Sequence, residues 1–185
     1  WTLYGHHWAV DFVRQSMAHG RTRHAYLITG TPQIGKSRLA HLFAMALNCE
    51  AEEIAARPCF ACPSCKRLVS GNHPDLIYAE NDARSGAIKI NTVREVIRLL
   101  ALKPFASRYR VALFYDFDLA LGPAQDALLK TLEEPPPHAV LLVVARAAQN
   151  LLSTITSRCQ QIPLRPLSTE EVHAALLAEG AEETQ

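Results

Sequence analysis

Charge imbalance, long apolar runs and a secretory leader are all missing from this sequence, and each absence removes a class of function. Nineteen Lys and Arg against eighteen Asp and Glu leave a formal net charge of +1, so no overall field directs the chain to nucleic acid or a membrane surface. No apolar run approaches the roughly 18–20 residues needed to cross a bilayer. No segment combines a basic start, an apolar centre and a small-residue cleavage site. Internal repeats and low-complexity tracts are absent too. What remains is an ordinary globular composition, 49% hydrophobic and 20% charged over 185 residues. That length allows one good-sized core, or a core with a small appendage. The first residue is Trp1 rather than Met, so the expectation is a processed or truncated piece of a soluble cytosolic protein.

Hydrophobic periodicity supplies the outline. Ala25-Tyr26-Leu27-Ile28-Thr29 is a short β-prone run ending at Gly30, and it reads as a buried strand. From Lys36 to Asn48, the apolar residues Leu39, Leu42, Phe43, Ala46 and Leu47 recur at helical spacing. Residues 50–75 read as an irregular insertion. A helix is expected over 91–102, with Asn91 as its N-cap and Pro104 stopping it. Residues 111–115 form a second buried strand that delivers Asp116 at its end. A helix over about 125–132 ends before Pro135-Pro136-Pro137, and residues 140–144 are a third strand. Ser168-Thr169-Glu170-Glu171 fits a capping box opening a short helix near Gly180. Continuous apolar strands alternating with helices imply a parallel sheet covered on both faces.

Two local patterns carry chemistry. Gly30-Thr31-Pro32-Gln33-Ile34-Gly35-Lys36-Ser37 matches G-x-x-x-x-G-K-[ST] in full, between an expected strand and an expected helix. Glycines let the backbone turn its N–H groups toward phosphates, and the helix start aims its positive end at them. Lys36 would reach the β- and γ-phosphates of ATP or ADP, and the Ser37 hydroxyl would take a Mg²⁺ position. Four of the five cysteines, Cys49, Cys59, Cys62 and Cys65, lie close together, and Cys159 stands apart. In a cytosolic chain such clustering points to metal before disulfides. Four thiolates suit tetrahedral, structural Zn²⁺ with no open position for catalysis. An iron–sulfur cluster also begins with C-x-x-C-x-x-C, but its C-x₃-C-P continuation is absent after Cys65. His73 is an alternative to Cys49 as fourth ligand.

The order of further motifs carries a family resemblance. Tyr4-Gly5-His6, Arg23-His24-Ala25-Tyr26-Leu27, the phosphate loop and the cysteine insertion come first. Ala127-Leu128-Leu129-Lys130-Thr131-Leu132-Glu133-Glu134-Pro135-Pro136 follows, and Leu151-Leu152-Ser153-Thr154-Ile155-Thr156-Ser157-Arg158-Cys159 closes the series. Together, from about Gly5 to Pro166, they resemble the AAA+ module of bacterial DNA polymerase III clamp-loader subunits. The resemblance implies an α/β, P-loop AAA+ domain over 1–166, a parallel sheet with helices on both faces. A zinc-binding module is inserted at about 49–75, and a truncated small helical lid starts over 167–185.

Two kinds of subunit share these motifs, the motor (gamma or tau) and its partner delta prime. In the motor, the strand equivalent to residues 111–115 ends in Asp-Glu, and the Glu orients the attacking water. Here Phe117 follows Asp116, and an aromatic ring can neither take a proton nor orient water. Asp118, if the segment is extended, points to the opposite face. Ala145 stands where the motor carries a Thr that senses the γ-phosphate. Both departures align the chain with delta prime. Asp116 remains a candidate nucleotide-site residue.

The resemblance also implies that Arg158 enters a neighbouring subunit's ATP site as an arginine finger, an effect worth about 10³–10⁵ in rate in known systems. On position alone, a surface helix arginine is equally expected. The implied function is a clamp-loader subunit that helps place the sliding clamp on primed DNA, binding nucleotide weakly or without hydrolysing it. Its own ATPase would be weak or absent. The alternative is an ATP-hydrolysing gamma/tau motor, with Asp116 on Mg²⁺ and another acid as base. A third reading is a non-enzymatic zinc module that binds nucleic acid through 49–75. Implied partners are the gamma/tau and delta subunits, primer–template DNA and the sliding clamp, with no membrane. The piece alone would be monomeric, and the location cytoplasmic, at the nucleoid-associated replisome. Arg84, Lys89, Arg94, Arg98, Lys103, Arg108 and Arg110, with Glu95 the only acid among them, could meet DNA phosphates or form a solvated helix face.

Overall fold

Strands with apolar residues on both faces can be buried only between two helical layers, and the chain folds that way around four such strands and a more polar fifth at the edge. The computed structural model describes Trp1 and residues 3–178. The strands are β1 (Ala25–Thr29), β2 (Leu76–Ala79), β3 (Arg110–Phe114), β4 (Ala139–Ala145) and β5 (Gln160–Pro163). They form one sheet in the order β2-β3-β4-β1-β5, and every pairing is parallel. The helices are α1 (His7–Ala18), α2 (Lys36–Asn48), α3 (Pro63–Val69), α4 (Ile90–Leu100), α5 (Gly122–Glu133), α6 (Ser153–Thr156) and α7 (Thr169–Ala178). The expected α/β AAA+-like architecture, a parallel sheet with helices on both faces, is what forms. No helix among the described residues is long and apolar enough to cross a membrane.

Strand alternation divides the core in two. Tyr26, Ile28, Val140, Leu142 and Val144 face α1 and α2, where Tyr26 meets Phe43 edge-on at 4.8 Å between ring centroids. Leu27, Ala112, Phe114, Leu141 and Val143 face the opposite layer, with Val96 and Leu100 of α4, Leu128 of α5 and Ile155 of α6. The Cys159 thiol lies in this second layer, where burial pushes it up to about 12 and leaves it inert.

Several boundaries differ from the periodicity reading. Asn91 is the second residue of α4 rather than its cap; the helix turns in at Lys89, just after buried Ile88 anchors the chain. Helix α5 begins at Gly122 with Pro123 in its first turn, where the missing N–H costs nothing. The supposedly irregular insertion holds α3 and a single 3₁₀ turn, Ile54–Ala56. The capping box forms as expected. Ser168 N–H donates to Glu171 Oε2 at 2.8 Å, and Glu171 N–H to Ser168 Oγ at 3.2 Å. The expected helix end at Gly180 lies outside the described residues.

Candidate functional site

Because all five strands run the same way, the turns leaving β1, β3 and β4 gather at one end of the sheet, where ligands of open α/β sheets bind. The first of these turns is Gly30–Ser37. Gly30 has φ +151°, and a Cβ there would lie 2.8 Å from the carbonyl oxygen of Leu164. Gly35, at φ +99°, caps α2, and a Cβ on it would strike Leu3 at 2.8 Å. Only glycine fits either position without displacing neighbours. Between them, Thr31, Pro32 and Gln33 are exposed and Ile34 half-buried, while Ser37 is exposed in the first turn of α2.

Lys36 opens α2 and is buried. Its Nζ donates to the carbonyls of Gly30 and Thr31, both at 2.7 Å. Burial lowers its pKa; Asp116 and Asp118 oppose that shift, and Arg146 adds to it. Two acids and a second cation therefore share the space around this ammonium.

The turn after β3 corrects one expectation. Residues 117–119 form a 3₁₀ turn rather than an extended segment, entered through Asp116 in a left-handed conformation at φ 48°. Phe117 is buried and packs edge-on against Phe114 at 5.1 Å. The tighter turn keeps Asp118 on the loop side together with Asp116. Asp118 accepts the Arg146 N–H at 3.2 Å, and its Oδ2 lies 4.0 Å from Arg146 Nε. Arg146 in turn supplies the carbonyl that receives Gly30 N–H at 3.1 Å. Ala145, the last residue of β4, is fully buried and presents no polar group. Tyr115 stacks on Tyr78 with centroids 6.4 Å apart, and burial raises its pKa. Sequence reasoning sends Asp118 to the opposite face and does not single out Arg146, because their meeting depends on the tightness of one turn.

Beside the loop is a cavity of about 220 Å³ lined by Leu3, Ile34, Gly35, Leu167, Val172 and Leu176, among others. The N-terminal segment is held over it by His6, whose Nε2 lies 3.0 Å from the Ile34 carbonyl. Most of that lining is apolar, and Gln33 and Arg38 add polar groups to it.

The cysteines assemble at the opposite end of α2. The ligand atoms of Cys49, Cys59, Cys62 and Cys65 all lie within 4.8 Å of one another. Tetrahedral zinc, with Zn–S near 2.3 Å, asks for sulfurs about 3.8 Å apart, so the set fits a four-sulfur ion with slight contraction. Backbone N–H groups already point at the sulfurs: Cys59 to Cys49 at 3.4 Å, Cys62 to Cys59 and Cys65 to Cys62 at 3.3 Å. N–H groups from Cys62 and Ala61 lower the Cys59 thiol to about 6, while burial raises Cys49 and Cys65. His73 is not part of the cluster. Its Nε2 lies 3.1 Å from both Ser64 Oγ and Ser107 Oγ, and its Nδ1 accepts Asp75 N–H. Cys49 rather than His73 is the fourth candidate ligand.

Arg158, following α6, is held within its own chain, Nη2 to Glu133 Oε1 at 2.8 Å and Nη1 to the Thr154 carbonyl at 2.9 Å. Of the basic stretch, Arg98 pairs with Glu95, Lys89 with Asp82, and Arg110 sits 3.6 Å from Asp75. Those internal partners leave Arg84, Arg94, Lys103 and Arg108 without an ion pair among the described residues.

Residues 5–168 match the family model described as DNA polymerase III, delta subunit. The chain is 37% identical over 157 residues to DNA polymerase III subunit tau of Escherichia coli K12, covering 85% of this chain and 24% of that protein. To DNA polymerase III subunit delta' of Bacillus subtilis it is 34% identical over 162 residues, covering 88% and 48%. The chain thus spans roughly a quarter to a half of these relatives' lengths. A gamma subunit-related protein of DNA polymerase III from Thermotoga maritima superposes with TM-score 0.65 at 19% identity, over 88% of this chain and 47% of that one. The RuvB Holliday junction branch migration motor of the same organism gives 0.57 at 14%, over 94% and 49%. At those identities the structural likeness establishes the fold.

Proposed function

Because this chain belongs to the DNA polymerase III, delta subunit family of clamp-loader subunits, we propose that it is the AAA+ region of a delta-prime-like member. It binds ATP or ADP with Mg²⁺ through Gly30–Ser37 and Asp116, hydrolyses it poorly, and lends Arg158 to a neighbouring motor subunit. Residues 1–166 form the AAA+ domain, and α7 begins the small lid. Zn²⁺ is the metal that suits Cys49, Cys59, Cys62 and Cys65: bound there, it would cross-link the insertion and supply no catalytic position. Gamma/tau and delta subunits, the sliding clamp and primer–template DNA are the partners in this reading, and the cytoplasmic replisome is its location.

One observation carries the poor-hydrolysis reading. The residue after Asp116 is an aromatic ring packed into the core, and the next acid, Asp118, already holds the Arg146 N–H and faces its guanidinium. A general base needs a free oxygen within reach of water. Calorimetric titration of the metal-replete chain with ATP and Mg²⁺ tests the loop: binding is expected in wild type and absent in Lys36→Ala. Steady-state turnover near 1 s⁻¹ or faster by the chain alone, unchanged by Arg158→Ala, would sink the delta-prime reading.

The gamma/tau motor reading has its own support in the 37% identity to a tau subunit. In that reading Asp118 is the missing acid, and Asp118→Asn would abolish turnover.

A further inference from the structure

We propose that Glu133 is a positioning residue for Arg158, fixing the guanidinium in the orientation that meets a neighbouring subunit's nucleotide. This rests on the trans reading of Arg158 given above. The two side chains come from separate elements and meet at the surface, Arg158 retaining 35% exposure and Glu133 52%. A guanidinium carries five N–H bonds in one plane. The contacts to Glu133 Oε1 and the Thr154 carbonyl use one hydrogen on each terminal nitrogen. They fix the plane and leave three N–H bonds for phosphate oxygens.

Helix stability does not explain why an acid stands here. The last turn of a helix carries the negative end of its dipole, which favours cations and disfavours carboxylates. Yet Glu133 ends α5, followed by Glu134 and then Pro135. An ion pair this exposed adds little to stability either. A local rule broken at a surface position with one specific partner marks a functional constraint.

A second contact places α5 in the same role. Gln125, buried in the first turns of α5, accepts Leu152 N–H at 2.9 Å and donates to the Ala120 carbonyl at 3.0 Å. Helix α5 therefore fixes the start of α6 through Gln125 and Arg158, the second residue past its end, through Glu133. Four residues of helix are too few to hold a long side chain steady unaided. α5 acts as their splint.

The test compares Glu133→Ala, Glu133→Gln and Arg158→Ala in a clamp loader assembled from the chain's own partner subunits. Glu133→Ala is expected to lower the kcat of ATP hydrolysis about tenfold with KM unchanged. Glu133→Gln, whose amide oxygen still accepts from Nη2, should stay within about twofold. Arg158→Ala should lose about 10³-fold or more. On the isolated chain, nitrogen-15 spectra should show slow rotation of the Arg158 guanidinium in wild type and Glu133→Gln, and fast rotation in Glu133→Ala. Thermal unfolding should be the same in all three, since Glu133 fills no cavity. Wild-type turnover in Glu133→Ala beside an impaired Arg158→Ala overturns the role of Glu133 and leaves the finger standing. Wild-type turnover in Arg158→Ala overturns the finger and this inference with it.

Discussion

Asp75 shows how much one side chain can hold. Fully buried, it accepts three successive backbone N–H groups, from Phe105 at 2.6 Å, Ala106 at 2.8 Å and Ser107 at 2.9 Å. Arg110 lies 3.6 Å away and supplies the counter-charge. This carboxylate fixes the loop before β3 against the end of the cysteine insertion. Asp75→Asn keeps the volume but turns an N–H₂ toward N–H donors, so a loss of about 3 kcal/mol is expected. Urea unfolding of the metal-replete chain measures it; a loss below about 1 kcal/mol would show that the loop has other support. The same logic makes the Asp118–Arg146 and Glu133–Arg158 pairs readable only in space. Each joins residues far apart in the chain, and no spacing rule links them.

Elements were legible in proportion to their periodicity. Helix α2 was bounded correctly by its apolar spacing and the loop before it, and β1 by its continuous apolar run. Strand β5, Gln160–Pro163, was not, because two glutamines and a proline in four residues look like a loop; only pairing with β1 makes it a strand. Helix α1 went unread although Ala9, Val10, Val13 and Met17 line its buried face, since no cap marks its start. The turn at 117–119 depends on burying Phe117, a tertiary cause that local pattern does not register. Phosphate loop and cysteine cluster, by contrast, were visible from spacing alone, as both need fixed residue types at fixed intervals. For the cysteine module a test belongs at this scale. Chelation should melt α3 and residues 49–75, seen as new proteolytic cleavage there and a lower unfolding temperature, while DNA affinity stays as it was. A fall in DNA affinity without loss of stability would favour a nucleic-acid-binding zinc module instead.

At the scale of the whole molecule, three histidines set a common pH response. Burial lowers the pKa of His24, His41 and His73, with the Arg23 charge contributing at His24. Their unfolded values lie near about 6.5. On acidification the unfolded chain takes up these protons first, so stability is complete above that pH and is lost as pH falls through the folded values. Thermal unfolding should therefore shift downward between about pH 7.5 and pH 5.5, with His41→Gln giving a shallower slope. A flat profile would mean that these imidazoles take up protons as readily in the folded chain as in the unfolded one. The geometry of α2 binds the two ends of the domain into one mechanical unit. Its first residue is Lys36, Cys49 follows its last, and Asn48 is riveted to Tyr109 by N–H bonds of 3.0 and 3.1 Å. Thirteen residues make a rod about 20 Å long. The cysteine cluster is the abutment of that strut and the phosphate loop its tip. Zn²⁺ bound at one end of this rod and a nucleotide bound at the other would act on the same helix, so each is expected to raise the affinity for the other, and nucleotide titration before and after chelation measures it.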